Sequence, residues 1–128
     1  MPEAACAQEM RHAVVIEDDD GVRRSLQLLL HGWGFHVRAF SGATPALNGE
    51  AFGNADVLIA DYRLPDGNGL DVMRELRDRG WAGRAVLITA FPSEPLRAVA
   101  ISCGFSSVLE KPVRRQTLSA AIAASTSV

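Results

Sequence analysis

The feature that most constrains the fold is a repeated alternation of short apolar runs with longer amphipathic segments. The first run, residues 13–16, is wholly apolar and stops at four consecutive acids, residues 17–20. Apolar residues then recur with helical spacing from Val22 to Trp33. A short continuous apolar run is typical of a strand buried on both faces, and the spacing that follows is typical of an amphipathic helix. The unit therefore predicts one strand followed by one helix.

The same unit occurs five times along the chain. The predicted strands occupy residues 13–16, 36–40, 57–60, 85–88 and 108–109. The first predicted helix carries its apolar face from Val22 to Trp33, with Asp19 or Asp20 placed to cap its start. The next two predicted helices cover residues 43–52 and 70–79. The fourth runs from near Pro95 to about Gly104, and the fifth includes residues 118–122. This alternation predicts an α/β fold of flavodoxin-like topology: a doubly wound, five-stranded parallel sheet in the order 2-1-3-4-5 with five helices.

Length and composition restrict the class of protein further. A chain of 128 residues with 48% hydrophobic residues has the size of one domain with one core, here predicted at residues 13–124 between a leader of residues 1–12 and a tail of residues 125–128. A formal charge of -2 gives no basic field for nucleic acid. The five units also leave no segment for a helix-turn-helix, so we expect no DNA binding by this chain.

Cysteine content and hydropathy bear on the compartment. Cys6 and Cys103 are the only cysteines, which does not suggest a disulfide framework. No apolar run approaches the roughly 18 residues that a membrane span requires. We expect a soluble, cytoplasmic protein.

Polar residues follow the predicted strands at the positions where each strand ends. Glu17 and Asp18 follow the first strand, Asp61 the third, Thr89 the fourth and Lys111 the fifth. In a sheet of this order the first and third strands are neighbours at the point where the strand order reverses, and ligands bind there at the carboxyl ends. We therefore expect these side chains to form one site, with Asp18 beside Asp61.

Three neighbouring carboxylates need a compensating charge, because like charges a few ångströms apart repel strongly. Mg2+, or in its place Mn2+, is commonly held by carboxylates, waters and phosphate oxygens. Beside a metal, an ammonium and a hydroxyl, a carboxylate can act as a nucleophile toward a phosphoryl group. The residues predict Asp61 as nucleophile, Asp18 and Glu17 as metal ligands, and Lys111 and Thr89 as contacts of the phosphoryl group.

Four segments resemble, in family order, the motifs of the response-regulator receiver domain of bacterial two-component signalling. They are Val15-Ile16-Glu17-Asp18-Asp19, Leu58-Ile59-Ala60-Asp61-Tyr62-Arg63-Leu64-Pro65, Leu87-Ile88-Thr89-Ala90 and Glu110-Lys111-Pro112. The resemblance covers about residues 12–124. Its four motifs stand at four predicted strand ends, which makes the match specific.

The resemblance implies a phosphoacceptor rather than an enzyme. Asp61 would receive its phosphoryl group from a histidine of a sensor kinase or of a phosphotransfer protein, and a downstream protein effector would receive the signal. The backbone carbonyl of Arg63 would join the metal ligands, and the Lys111–Pro112 bond would be cis. A further likeness to receivers of hybrid sensor kinases leaves open whether the chain stands alone, and the sequence also leaves open a homodimer.

Val108 departs from the family pattern. The family usually has an aromatic residue three positions before the lysine, and its ring swings inward as the threonine hydroxyl moves toward the phosphoryl group. Valine is small and stiff about its one side-chain torsion. We therefore expect the usual aromatic switch to be absent at Val108, with Phe91 and Phe105 as sources of the missing aromatic bulk.

Three other functions fit part of the pattern. A Mg2+-dependent phosphatase that also uses a strand-end aspartate needs a second aspartate two residues later, where this chain has Arg63. A flavin- or nucleotide-binding domain needs a Gly/Ser/Thr-rich phosphate loop after the first strand, where this chain has acids. An interaction domain that works without phosphorylation would not need to keep the acids, Thr89 and Lys111 together.

Residues outside these motifs are expected to have ordinary structural roles. Arg77 and Arg79 are predicted on an exposed helix face, and Cys103 is predicted to be a small buried residue. His12 and His36 are far apart in the sequence and lack the spacing of metal ligands.

Overall fold

A computed structural model describes residues 11–123 and contains one parallel sheet flanked by helices. The strands of the sheet are β1 (Arg11–Ile16), β2 (Phe35–Phe40), β3 (Val57–Asp61), β4 (Arg84–Thr89) and β5 (Ser107–Glu110). The helices are α1 (Asp20–Gly32), α2 (Ala43–Asn48), α3 (Gly69–Asp78), α4 (Glu94–Cys103) and α5 (Arg115–Ala123). The sheet order is β2-β1-β3-β4-β5, so the predicted fold class and strand order are confirmed.

Each face of the sheet has its own apolar core. On β1, Val14 and Ile16 pack into the core that includes residues of α2, α3 and α4, whereas Ala13 and Val15 pack into the core that includes residues of α1 and α5. All four side chains are buried. Burial on both faces explains why the strands appear in the sequence as continuous apolar runs.

The ends of α1 follow from local residues. Asp19 precedes the helix, and its side chain accepts a hydrogen bond of 2.9 Å from the backbone N–H of Val22. The helix therefore begins at Asp20, and of the two acids predicted to cap it, Asp19 takes that position. It ends at Gly32, and Gly34 follows with a φ of 94°, a conformation that favours glycine.

Within the described residues the first strand is Arg11–Ile16, so Arg11 and His12, predicted in the leader, belong to β1. Parallel pairing places His12 directly opposite His36, with their ring centroids 5.1 Å apart. The two histidines are far apart in the sequence, and the adjacency of β1 and β2 brings them together. Residues 1–10 and 124–128, which include Cys6 and the predicted tail, lie outside the described residues.

The second helix is shorter than predicted. It covers Ala43–Asn48 instead of residues 43–52, and Gly49 follows it with an extended backbone (φ -102°, ψ -159°). Asparagine and glycine are weak helix formers, so the pair Asn48-Gly49 ends the helix. Residues 49–56 form a connection to β3 that contains no helix.

Residues 62–69, predicted as a loop, contain a short antiparallel hairpin in which Arg63–Leu64 pairs with Gly67–Asn68. Gly69 then begins α3 in close contact with β3. A Cβ atom at Gly69 would lie 2.7 Å from the backbone oxygen of Asp61, so a larger residue would push the helix away from the strand. Glycine at this position allows α3 to start directly beside the end of β3.

Arg77 is partly buried, and its predicted place on an exposed helix face was wrong. Its guanidinium donates hydrogen bonds to the backbone oxygens of Trp81 (2.7 Å), Gly83 (3.2 Å) and Gly104 (3.0 Å). Arginine has enough donors to satisfy several carbonyls at once, which makes such a position favourable. The side chain joins α3 to the segment before β4 and to the end of α4.

None of the helices within residues 11–123 has the length and apolar character needed to cross a bilayer.

Candidate functional site

Three carboxylates meet at the carboxyl ends of β1 and β3. Glu17 and Asp18 follow β1, Asp61 is the last residue of β3, and one carboxylate oxygen from each lies within 4.8 Å of the others. The two strands are hydrogen-bonded neighbours, which accounts for the meeting of residues so distant in sequence. Glu17 is fully buried, Asp61 is 6% exposed and Asp18 is exposed to solvent. The cluster is thus open to solvent through Asp18.

Lys111 supplies a positive charge to this cluster. Its Nζ atom lies 2.7 Å from Asp61 Oδ2 and 2.8 Å from Glu17 Oε1. It is the only lysine in the chain, where every other basic side chain apart from histidine is an arginine. Lys111 follows β5 directly, and the peptide bond between Lys111 and Pro112 is cis.

The pKa values of Glu17 and Lys111 are both raised, for different reasons. Burial raises the pKa of Glu17 above the usual value for a glutamate, against the opposing effect of Lys111. Burial of the ammonium acts to lower the pKa of Lys111, but its pairing with Asp61 and Glu17 outweighs this and raises the pKa. Lys111 is therefore held in its charged form beside the carboxylates.

The cluster has the composition expected of a site for a hard divalent cation. One ammonium faces three carboxylates, so an excess of negative charge remains when all are ionised. The Oε1 atom of buried Glu17 accepts no hydrogen bond of regular geometry and meets Lys111 only as an ion pair. Oxygen ligands with net negative charge and one exposed carboxylate fit Mg2+ or Mn2+.

The segment after Asp61 also contacts its carboxylate. The backbone N–H of Arg63 donates a hydrogen bond of 3.3 Å to Asp61 Oδ1. Arg63 pairs with Asn68 in the short hairpin, and the Asn68 side chain accepts a hydrogen bond of 2.9 Å from the Asp71 N–H at the start of α3. The backbone next to Asp61 is therefore held from both ends of the hairpin.

Thr89 is the last residue of β4, the strand next to β3, and is 4% exposed. Its hydroxyl oxygen accepts a hydrogen bond of 3.2 Å from the Phe91 N–H. Its carbonyl accepts one of 2.8 Å from the Lys111 N–H, which links the ends of β4 and β5. Thr89 therefore lies at the same edge of the sheet as Asp61 and Lys111.

Val108 belongs to the core rather than to the polar cluster. It is 4% exposed and packs on the face of the sheet that α4 covers. Phe105 is 2% exposed in the same core, whereas Phe91 is 75% exposed. Of the two rings considered as replacements for the missing aromatic residue, only that of Phe91 lies free at the surface.

Asp66 was not recognised in the sequence as part of this region. Its Oδ1 atom accepts a hydrogen bond from the Ala43 N–H and its Oδ2 atom accepts one from the Thr44 N–H, both of 2.8 Å. The Pro65-Asp66-Gly67 segment indicates only a turn. No local pattern connects it with the first turn of a helix that precedes it by more than twenty residues.

Comparison with known proteins agrees with this geometry. The family model described as the response regulator receiver domain matches residues 13–123. The transcriptional regulatory protein FixJ of Azorhizobium caulinodans is 33% identical over 111 residues, which cover 87% of this chain and 53% of that protein. The response regulator protein TmoT of Ectopseudomonas mendocina is 33% identical over 108 residues, which cover 84% of this chain and 49% of that protein. The chain thus spans about half the length of these curated relatives.

Solved structures show the same architecture. The crystal structure of a response regulator receiver domain protein from Clostridium thermocellum has a TM-score of 0.80 and 27% sequence identity, and the match covers 88% of this chain and 90% of that one. Together, the fold, the grouping of acids with one lysine at the strand ends and the family match lead to one conclusion: this chain belongs to the family of response regulator receiver domains.

Proposed function

We propose that this receiver domain accepts a phosphoryl group on Asp61 as a step of two-component signalling, without catalytic turnover of its own. One observation carries the proposal. Asp61 ends a buried strand with one carboxylate oxygen against the chain's only lysine and lies within reach of two further acids. A surface aspartate with a purely structural role would not need this arrangement.

The reaction requires a nucleophile and a means of balancing charge on the transferred group. A carboxylate oxygen of Asp61 forms the new P–O bond while the P–N bond of a donor phosphohistidine breaks, and the leaving imidazole takes up a proton. Lys111 stands 2.7 Å from Asp61 Oδ2, where its ammonium neutralises negative charge on the phosphoryl oxygens. Thr89 offers a hydroxyl at the same edge of the sheet.

Glu17, Asp18 and Asp61, with the backbone carbonyl of Arg63, are the residues that would hold Mg2+ or Mn2+. Held there, such a cation would neutralise negative charge on the phosphoryl oxygens. Asp18 is the exposed member of the set and gives solvent access. Glu17 is buried, and its ionised form is favoured when positive charge is close.

The proposed partners are a sensor histidine kinase or a histidine phosphotransfer protein as donor and a protein effector as receiver of the signal. FixJ and TmoT are about twice as long as the matched segment, and FixJ carries the name of a transcriptional regulatory protein. We assign DNA binding to no part of residues 11–123, which form the receiver fold alone. Homodimerisation and a cytoplasmic location stay predictions.

The output route is proposed to begin at Thr89 and to proceed without a ring at position 108. Val108 is buried and offers no group that can swing between the core and the surface. Phe91 lies two residues after Thr89, is exposed, and donates its N–H to the Thr89 hydroxyl oxygen. A shift of that hydroxyl toward the phosphoryl group would break this hydrogen bond and release the Phe91 segment.

Phosphoryl uptake can be measured directly by intact mass after incubation with acetyl phosphate and Mg2+. We expect the wild type to gain the mass of one phosphoryl group, Asp61→Asn to gain none, and Asp78→Asn, an exposed acid at the end of α3, to behave as the wild type. Equal labelling of the wild type and Asp61→Asn would contradict the proposal. A wild type that takes up no phosphoryl group would favour an interaction domain that works without phosphorylation.

A further inference from the structure

We propose that Asp66 is a positioning residue for the phosphorylation site, because it fastens the segment after Asp61 to the first turn of α2. The inference rests on the proposed function, since it concerns how the same site is held in shape. It adds a residue outside the acidic cluster and connects the segment after β3 with the segment after β2. Those two strands flank β1, which carries Glu17 and Asp18 at its end.

The first turn of α2 has no capping side chain of its own. The residue before the helix is Gly42, which cannot supply a side-chain acceptor. The carboxylate of Asp66 takes this place, with one oxygen bonded to the Ala43 N–H and the other to the Thr44 N–H, each at 2.8 Å. Helix starts leave such N–H groups without partners inside the helix, and a carboxylate satisfies them well.

Gly42 makes room for this contact. Its φ of -160° is extended backbone that any residue adopts, so the conformation does not require glycine. A Cβ atom at this position would, however, lie 3.0 Å from both carboxylate oxygens of Asp66. The small residue before α2 and the acid in the hairpin therefore form a matched pair.

A short chain of contacts leads from Asp66 to the phosphoacceptor. Asp66 lies in the turn of the hairpin, which the pair of Leu64 with Gly67 closes; the pair of Arg63 with Asn68 follows. The Arg63 N–H donates to Asp61 Oδ1 at 3.3 Å, and the Arg63 carbonyl is the proposed metal ligand. Fixing the hairpin turn against α2 therefore restricts the backbone that faces the Asp61 carboxylate.

The ionisation of Asp66 suits this role. The hydrogen bonds from the backbone of Thr44 and Ala43 lower the pKa of Asp66 below the usual value for an aspartate. The carboxylate is therefore charged at neutral pH, which strengthens both hydrogen bonds.

The test separates the capping of α2 from the positioning of the site. Asp66→Ala removes both roles, whereas the double variant Asp66→Ala with Gly42→Asp returns a cap to α2 from its own chain but no connection to the hairpin. Hydrogen exchange of the peptides that contain residues 43–48 and 62–68 reports on the two segments. Calorimetric titration with Mg2+ reports on the site, and Asp78→Ala is the control for the loss of one exposed acid.

We expect Asp66→Ala to speed exchange in both segments and to weaken Mg2+ binding by about tenfold, as for other residues that orient metal ligands. The double variant should recover protection of residues 43–48 but neither the slow exchange of residues 62–68 nor the Mg2+ affinity. Gly42→Ala, which displaces the carboxylate from the other side, should resemble Asp66→Ala.

Two results would overturn the proposal: unchanged exchange of residues 62–68 in Asp66→Ala, or full recovery of Mg2+ affinity in the double variant. Recovery would mean that Asp66 only caps α2. A wild type that binds no Mg2+ would instead contradict the proposed function, and the exchange rates would still decide whether Asp66 holds the hairpin.

Discussion

At the scale of single residues, Lys111 places one ammonium against the carboxylates of Glu17 and Asp61. Under the proposed function, the same ammonium would compete with an incoming cation for these oxygens and would then neutralise a phosphoryl group. Lys111→Ala should therefore bind Mg2+ more tightly than the wild type but take up phosphate more slowly, by about a hundredfold, as when one electrostatic stabiliser of a transition state is removed. Magnesium titration and the rate of labelling by acetyl phosphate measure the two effects.

Arg114→Ala is the matched control for Lys111→Ala, since it removes an exposed cation from the same turn. Arg114→Ala should change neither the affinity for Mg2+ nor the rate of labelling by acetyl phosphate. An undiminished labelling rate in Lys111→Ala would show that the ammonium has no role in phosphoryl transfer.

Asp66 has a second consequence at the residue scale, which is a dependence of stability on pH. Its pKa is lowered in the folded state by the N–H groups of Thr44 and Ala43, so its contribution to the free energy of unfolding is complete above the ordinary value of 3.8 and is lost as pH falls through the lowered value. The stability difference between the wild type and Asp66→Asn should therefore be constant near neutral pH and shrink below 3.8. Urea denaturation over a pH series measures it, and a difference independent of pH would disprove it.

At the scale of elements, Arg77 joins α3, the segment before β4 and the end of α4 through three backbone oxygens. Arg77→Ala leaves these carbonyls without their charged donor and should lower the free energy of unfolding by about 2 to 4 kcal/mol. The free energy of unfolding of Arg77→Lys should lie between those of the wild type and Arg77→Ala, because an ammonium cannot span all three oxygens. Denaturant titration provides the measurement.

Arg74→Ala is the control on the same helix, because Arg74 is exposed and forms only a surface ion pair with Asp71. Its effect should stay under about 1 kcal/mol. Equal losses for Arg74→Ala and Arg77→Ala would mean that the three carbonyl contacts contribute nothing beyond a surface charge.

The contact of α3 with β3 depends on Gly69. A methyl group there meets the backbone oxygen of Asp61 and the Leu87 side chain at 2.7 Å, so Gly69→Ala should lower the free energy of unfolding by about 1 to 3 kcal/mol and weaken Mg2+ binding. Gly32→Ala is the control, since that position in α1 is open and alanine favours helices. Thermal unfolding measures the stability of both variants, and an equal loss in Gly69→Ala and Gly32→Ala would contradict the expectation.

At the scale of the whole molecule, the site joins segments that are far apart in the chain. Glu17 and Asp18 follow β1, Asp61 ends β3 and Lys111 follows β5, so a cation bound there would favour the assembled sheet over the unfolded chain. Magnesium at about a hundred times its dissociation constant should add about 2.7 kcal/mol to the free energy of unfolding. Melting temperatures in Mg2+ and in EDTA measure this gain.

Asp18→Asn should lose most of the magnesium-dependent gain while keeping the stability that the wild type has in EDTA. Asp18 is exposed, so the substitution disturbs no core contact. An equal gain in wild type and variant would place the cation elsewhere on the molecule.

The sequence by itself determined the elements and the content of the site. The runs Val14-Val15-Ile16 and Leu58-Ile59-Ala60 predict buried strands because burial on both faces excludes polar residues over a continuous stretch. The topology of such a sheet then brings strand ends together, so Glu17, Asp18 and Asp61 could be grouped before any coordinate was known. The local pattern and a general rule of sheet topology were sufficient to predict the strands and the grouping of these acids.

Only the tertiary structure decided which side chains outside that pattern meet. Arg77 reaches Gly104, Asp66 caps the helix that starts at Ala43, and His12 faces His36. The early end of α2 at Asn48 is a different case, because the weak helix formers Asn48 and Gly49 that end it are local to the sequence. Periodicity reports the burial of a residue but not the identity of its partner. The partner depends on distances across the fold that no short stretch of sequence contains.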